Sequence, residues 1–140
     1  MNSMRLATQG GFTLVELMFT VVVVAILTSI GYAAYGEQMA KSRRAAARAL
    51  VMDVMQHEER FYTENNTYTT DLTAMGYGAT LSTDRNTHSI SLAAGASGAI
   101  ATSVAVTATA VTPDAKCTSL TLTSANAQSG TGSQPTVCWR

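Results

Sequence analysis

The chain has 140 residues, nine Lys and Arg against nine Asp and Glu, and only 13% charged residues beside 46% hydrophobic. A neutral chain of this composition has no global field for nucleic acid or an acidic membrane surface, and the length leaves no room for a two-domain enzyme. Two prolines and one tryptophan exclude a proline-rich or aromatic-rich ligand trap.

Much of the missing charge is absent from one place. Residues 17–36, from Leu17 to Gly36, form an uncharged run of 20 residues between Glu16 and Glu37. As a helix it spans about 30 Å, the hydrocarbon thickness of a bilayer. Its hydroxyls, Thr20, Thr28 and Ser29, can bond back to their own helix, and Tyr32 and Tyr35 stand where amphipathic rings favour the headgroup layer. The run is longer than the core of a secretory signal, and no small-x-small cleavage site follows it, so it reads as a retained anchor. Glu16 opens the run among Phe12, Leu14, Val15, Leu17 and Phe19. Two readings stand for it: a solvated carboxylate favoured by the helix dipole, or a buried acid awaiting a cation from a partner.

The stretch Gly10-Gly11-Phe12-Thr13-Leu14-Val15-Glu16-Leu17-Met18 resembles the start of type IV prepilins, in which a polar leader ends in glycine before an aromatic residue and Thr-Leu-x-Glu. The resemblance implies that prepilin peptidase cuts between Gly11 and Phe12 and that the new Phe12 amine is N-methylated. It also implies that Glu16 pairs with the amino terminus of a neighbouring subunit during assembly. Two features depart from the usual pattern: Gln9 and Gly10 separate Gly11 from the nearest cation, Arg5, and no proline interrupts the end of the span. Ser42-Arg43-Arg44-Ala45 and the stretch from Glu59 to Thr69 resemble the PilE-like minor pilin subgroup.

Past the span, Lys41, Arg43, Arg44 and Arg48 crowd the flank. The positive-inside rule would place them in the cytoplasm, whereas the leader places the C-terminal bulk in the periplasm. The leader is the more specific signal. The expected location is the inner membrane, single-pass with a periplasmic head, and then the extracellular pilus.

The helical pattern continues: Leu50, Val54 and Phe61 form one row, with Val51, Met55 and Tyr62 beside it. Arg48, Asp53, Glu59 and Glu64 fall off that stripe, and Asn65-Asn66 ends the helix. Residues 71–78 read as a turn-rich connection. Strands are expected at His88–Leu92, Val104–Ala108 and Cys117–Thr123, with a short last one at Gln134–Trp139; residues 95–98 and 129–133 read as turns or loops. The expected class is α+β, a long N-terminal helix whose second half packs on a small antiparallel sheet, the type IV pilin fold. The expected division is a leader at 1–11, a transmembrane and filament-core helix at 12–36, an amphipathic second half at 37–66 and a β-rich head at 67–140.

Cys117 and Cys138 are the only cysteines, so one disulfide is the only internal pairing. The bridge also resembles the C-terminal disulfide loop of type IV pilins, and reduced buried thiols are the alternative. Other chemistry finds no constellation. His57-Glu58-Glu59-Arg60-Phe61 has Phe61 where a zinc-protease helix needs its second histidine, and His88 heads a strand without a nucleophile motif. No catalytic residue, cofactor or metal is expected. The favoured function is a structural minor pilin supporting pilus biogenesis, twitching motility or adhesion. Its expected partners are prepilin peptidase, other pilin subunits, the inner-membrane assembly machinery, and lipid before assembly. A type II secretion pseudopilin and a DNA-uptake minor pilin are the alternatives. The second needs a basic stripe on the head, where only Arg85, Lys116 and Arg140 stand, which makes nucleic acid the less favoured partner.

Overall fold

Thr13 starts the first element. Its hydroxyl accepts a hydrogen bond from the Glu16 N–H at 3.2 Å, satisfying one of the donors that a helix start leaves open. In the computed structural model, which describes residues 11–140, helix α1 then runs from Leu14 to Asn65. Asn66 ends it by turning left-handed (φ 58°), its N–H donating to the Tyr62 carbonyl at 2.8 Å. Asparagine tolerates that conformation better than most residues, so the Asn65-Asn66 stop is physical. The chain divides into two units between Gln38 and Met39.

The first unit is an apolar helix with its side chains exposed, including Leu14, Val15, Phe19 and Leu27. The Thr20, Thr28 and Ser29 hydroxyls donate to the Leu17, Val24 and Ile26 carbonyls at 2.8, 2.7 and 2.7 Å, which removes the polar penalty from this surface. Among the described residues, no helix is long and apolar enough to cross a membrane. The side chains of residues 30, 31, 33 and 34, inside the expected span, lie outside the described ones, as do the leader residues 1–10.

In the second unit, the helix buries Ala47, Val51, Val54 and Met55 at three-to-four-residue spacing. Leu50 and Tyr62 pack against this core from its margin. The strands are β1 (Leu81–Ser82), β2 (His88–Ala94), β3 (Val104–Ala110), β4 (Ser119–Thr123) and β5 (Gln128–Thr131). They form an antiparallel meander in chain order. Register aligns Ile90 with Ala108, and Val106 with Leu122, so one face supplies Ile90, Val104, Val106, Ala108, Leu120 and Leu122 to the core. Alternation puts Thr107 and Thr121 on the other face, where their hydroxyls meet at 2.9 Å.

Two expectations are corrected at the C-terminal end. Residues 129–133 were expected to form a turn or loop, but Gln128–Thr131 is a strand paired with β4. Gly130 permits it: a Cβ there would lie 2.7 Å from Cys138 Sγ and 2.9 Å from the Pro135 carbonyl oxygen. Gln134–Trp139 was expected as a strand, but Pro135–Cys138 is a short 3-10 turn with the proline, which has no N–H to donate to a ladder, at its start. The expected bridge is present, joining Cys117 and Cys138 with Cα atoms 5.4 Å apart. Closing a loop of this length contributes about 3 kcal/mol in the chain-entropy description.

One buried acid works against this packing. Glu58 is fully buried; one carboxylate oxygen accepts the Thr69 N–H at 3.2 Å and the other has no partner. Burial raises its pKa, the Thr69 bond opposes that, and Glu59 adds to it. An acid with a raised folded pKa gives stability that is present at low pH and lost as pH rises through that value. Glu58→Gln, which keeps an acceptor for Thr69, is therefore expected to raise stability by about 1 kcal/mol at pH 7. The difference from wild type should shrink as pH falls, measured by denaturant titration of the full chain in detergent. A less stable variant at pH 7 would contradict this.

Candidate functional site

Two parts of the chain carry functional side chains. At the start of α1, Gly11 and Phe12 are exposed, and a Cβ built on Gly11 meets nothing within 4 Å. Glu16 occupies the third helical position, near the positive end of the helix dipole and one turn after Phe12. The Thr13-x-x-Glu16 spacing is that of a helix-capping pair, a local reason for this acid that the sequence reading had missed.

The head distributes its cations in an unexpected way. Arg44 is buried and makes a two-pronged bond to Asp114, Nε to Oδ2 at 2.6 Å and a terminal nitrogen to Oδ1 at 2.9 Å. Asp114 also accepts the backbone N–H groups of Lys116 at 3.1 Å and Cys117 at 3.3 Å. The Arg44 bond is the first cause holding the Asp114 carboxyl below the usual range. This pair fastens α1 to the β3–β4 loop. Arg48 donates to the Arg140 carbonyl, fastening the helix to the chain end. Two cations of the flanking run thus hold the head together, a role with no local signal because Arg44 and Asp114 stand 70 residues apart.

His88 is buried at the start of β2; its Nδ1 lies 3.3 Å from the Thr87 hydroxyl and its Nε2 has no partner. Burial lowers its pKa first; Asp114 opposes that, and Arg43 and Arg44 lower it further. His57 contacts Tyr77, with Nδ1 2.5 Å from the hydroxyl, and that hydroxyl donates to Asp53 at 2.6 Å. His57 therefore helps to secure the connection after the helix.

Beside the disulfide loop, an open groove of about 480 Å³ is lined by Gln128, Ser129, Thr136, Trp139 and Arg140, among others. The Trp139 indole N–H donates to the Ser129 carbonyl at 2.7 Å and fixes the ring over β5. A cation, hydroxyls and a side-chain amide on one rim are the groups that contact phosphates and base edges.

A family model described as the prokaryotic N-terminal methylation motif matches residues 6–32. A second, described as type IV minor pilin ComP, DNA uptake sequence receptor, matches residues 33–121, more than half of the chain. The chain belongs to the type IV minor pilin ComP family. As a pilin it is a structural, non-enzymatic subunit. The chain is also 30% identical over 92 residues to the fimbrial protein EcpC of Eikenella corrodens, across 66% of this chain and 60% of that protein. Of the functions expected from the sequence, the ComP match favours the DNA-uptake alternative over the motility and adhesion reading.

Proposed function

We propose that this minor pilin is a DNA-uptake receptor. It is stored in the membrane through residues 17–36 and cut by prepilin peptidase between Gly11 and Phe12. It is then N-methylated at Phe12 and assembled with Glu16 paired to the Phe12 amine of a neighbouring subunit. The head, residues 67–140 with the helix that supports it, presents the DNA-binding surface. The ComP match over residues 33–121 carries this reading. The methylation-motif match and the open backbone at Gly11 support the processing step.

Residues 39–140 carry eight Lys and Arg against seven Asp and Glu, so binding cannot come from bulk charge. It is expected from a few placed contacts, Lys116 and Arg140 beside the disulfide loop among them. Each phosphate neutralised by such a contact contributes a slope near −0.9 in log affinity against log salt. The full chain in neutral detergent should therefore bind duplex DNA with a shallow slope of about −2 to −3. The Lys116→Gln, Arg140→Gln double variant should lower that slope by about 2 units and weaken binding at low salt. No retention of DNA by the wild-type chain at low salt would overturn the reading; an unaltered slope in the variant would move the contacts elsewhere.

A further inference from the structure

We propose that the cleft formed by Arg43 and Arg85 with the hydroxyl residues Ser42 and Thr87 binds the phosphodiester headgroup of an anionic phospholipid while the subunit is stored in the membrane. The cleft is about 240 Å³, and Met39, Ala46 and Asp84 complete its lining. Arg43 comes from α1 and Arg85 from the turn between β1 and β2, so two arginines 42 positions apart line one opening. Neither has an ion pair among the described residues. A planar fork of donors suits a phosphate oxygen pair, and the exposed Ser42 hydroxyl can donate beside it.

The turn that presents Arg85 is held in an uncommon conformation. Arg85 and Asn86 both adopt left-handed backbone, φ 65° and 52°. For arginine that conformation is uncommon and costs about 1 kcal/mol or more, so the surroundings have to enforce it. They do so through a buried hydroxyl pair, Thr83 to Thr87 at 2.8 Å. The His88 N–H also bonds to the Thr83 hydroxyl at 3.0 Å, and the Asn86 N–H to the Thr83 carbonyl at 2.8 Å.

The choice of lipid over DNA follows from position and from the fate of the other cations. Arg43 follows the uncharged run by seven residues, about 10 Å of helix, which is where headgroups lie beyond a 30 Å hydrocarbon core. Four cations on the periplasmic side oppose the positive-inside rule. The structure assigns Arg44 and Arg48 to holding the head together, which leaves Lys41 and Arg43, and of these two it is Arg43 that lines the cleft with Arg85. The Asp84 carboxylate at the rim and the acidic Asp53, Glu59 and Glu64 further along α1 repel a long polyanion more than a single headgroup. The inference rests on the membrane-storage reading above.

The full chain would be reconstituted in phosphatidylcholine vesicles with and without about one part in four phosphatidylglycerol, and the lipids it retains identified by native mass spectrometry. Flotation on pure phosphatidylcholine tests insertion alone. Wild type should float on both and retain phosphatidylglycerol in preference to phosphatidylcholine. The Arg43→Gln, Arg85→Gln variant should still float and lose that preference by at least about fivefold. Lys41→Gln, which removes a nearer cation outside the cleft, should change it little. An unaltered preference in the double variant, or an equal loss with Lys41→Gln, would overturn the site. So would a double variant that keeps its lipid preference but loses DNA retention, since the cleft would then be a DNA contact. Failure of wild type to float would overturn the storage reading, and the site with it.

Discussion

Replacing Glu16 with alanine is expected to leave the chain cleaved and membrane-embedded but to cut its share of sheared filaments by more than about tenfold. Glu16 stands at the third position of α1 among exposed apolar side chains, Leu14, Val15, Leu17 and Phe19. In the proposed storage and assembly those neighbours are covered by lipid or by other subunits, and either would place the carboxylate in a low dielectric. There an unpaired charge is costly, whereas a neighbour's Phe12 amine offsets its desolvation. Removing one member of a desolvated pair costs about 3–5 kcal/mol because the other is left uncompensated. The loss of the favourable helix dipole contact is smaller, about 0.3–1 kcal/mol, and falls short of the roughly 1.4 kcal/mol that a tenfold change takes. Glu16→Gln keeps the shape and loses the charge, so it should fail like alanine. Quantitative immunoblots of sheared pili against membrane fractions provide the measurement; wild-type incorporation of either variant would refute the pairing.

Asp114→Ala is expected to destabilise the head by about 3–5 kcal/mol, because it leaves the Arg44 guanidinium buried without its carboxylate. It also removes the acceptor of the Lys116 and Cys117 N–H groups in the β3–β4 loop. Arg44→Met should cost less, since the stem is replaced by a packable chain and Asp114 keeps those two backbone donors. The pH dependence has a definite sign. Asp114 is lowered in the fold, so its contribution is present above the ordinary carboxylate range near pH 4 and is lost as pH falls through the folded value. Denaturant titrations of the full chain at pH 7 and pH 3 should show the gap between wild type and Asp114→Ala narrowing at acid pH. A cost below about 1 kcal/mol at pH 7, the range of exposed ion pairs, would contradict the buried role.

How far the sequence spoke depended on whether a residue's role was local. The helix was legible from its unbroken apolar run, its later three-to-four spacing and the asparagine stop; β2 and β3 were legible because their alternation reports which face is buried. Strand β5 was not, since Gln-Ser-Gly-Thr has no apolar alternation and its position depends on Gly130 fitting under Cys138. The last segment looked extended but curls at Pro135 to bring Cys138 to Cys117. Lys41, Arg43, Arg44 and Arg48 read as one basic patch, and only tertiary contacts divide it. Arg44 meets Asp114 across 70 positions, Arg48 reaches the Arg140 carbonyl, and Arg43 opens onto Arg85. The DNA-uptake reading was less favoured from the sequence for a similar reason, because a few placed contacts of the kind proposed would leave no trace in net charge.

Deleting the chromosomal copy and measuring transformation frequency alongside surface piliation and protein secretion tests that reading most directly. A DNA-uptake minor pilin predicts a fall in transformation of at least about a hundredfold, the loss of a few kcal/mol of specific recognition, with pili still displayed and secretion unchanged. Normal transformation in the deletion strain, with piliation or secretion lost instead, would contradict it.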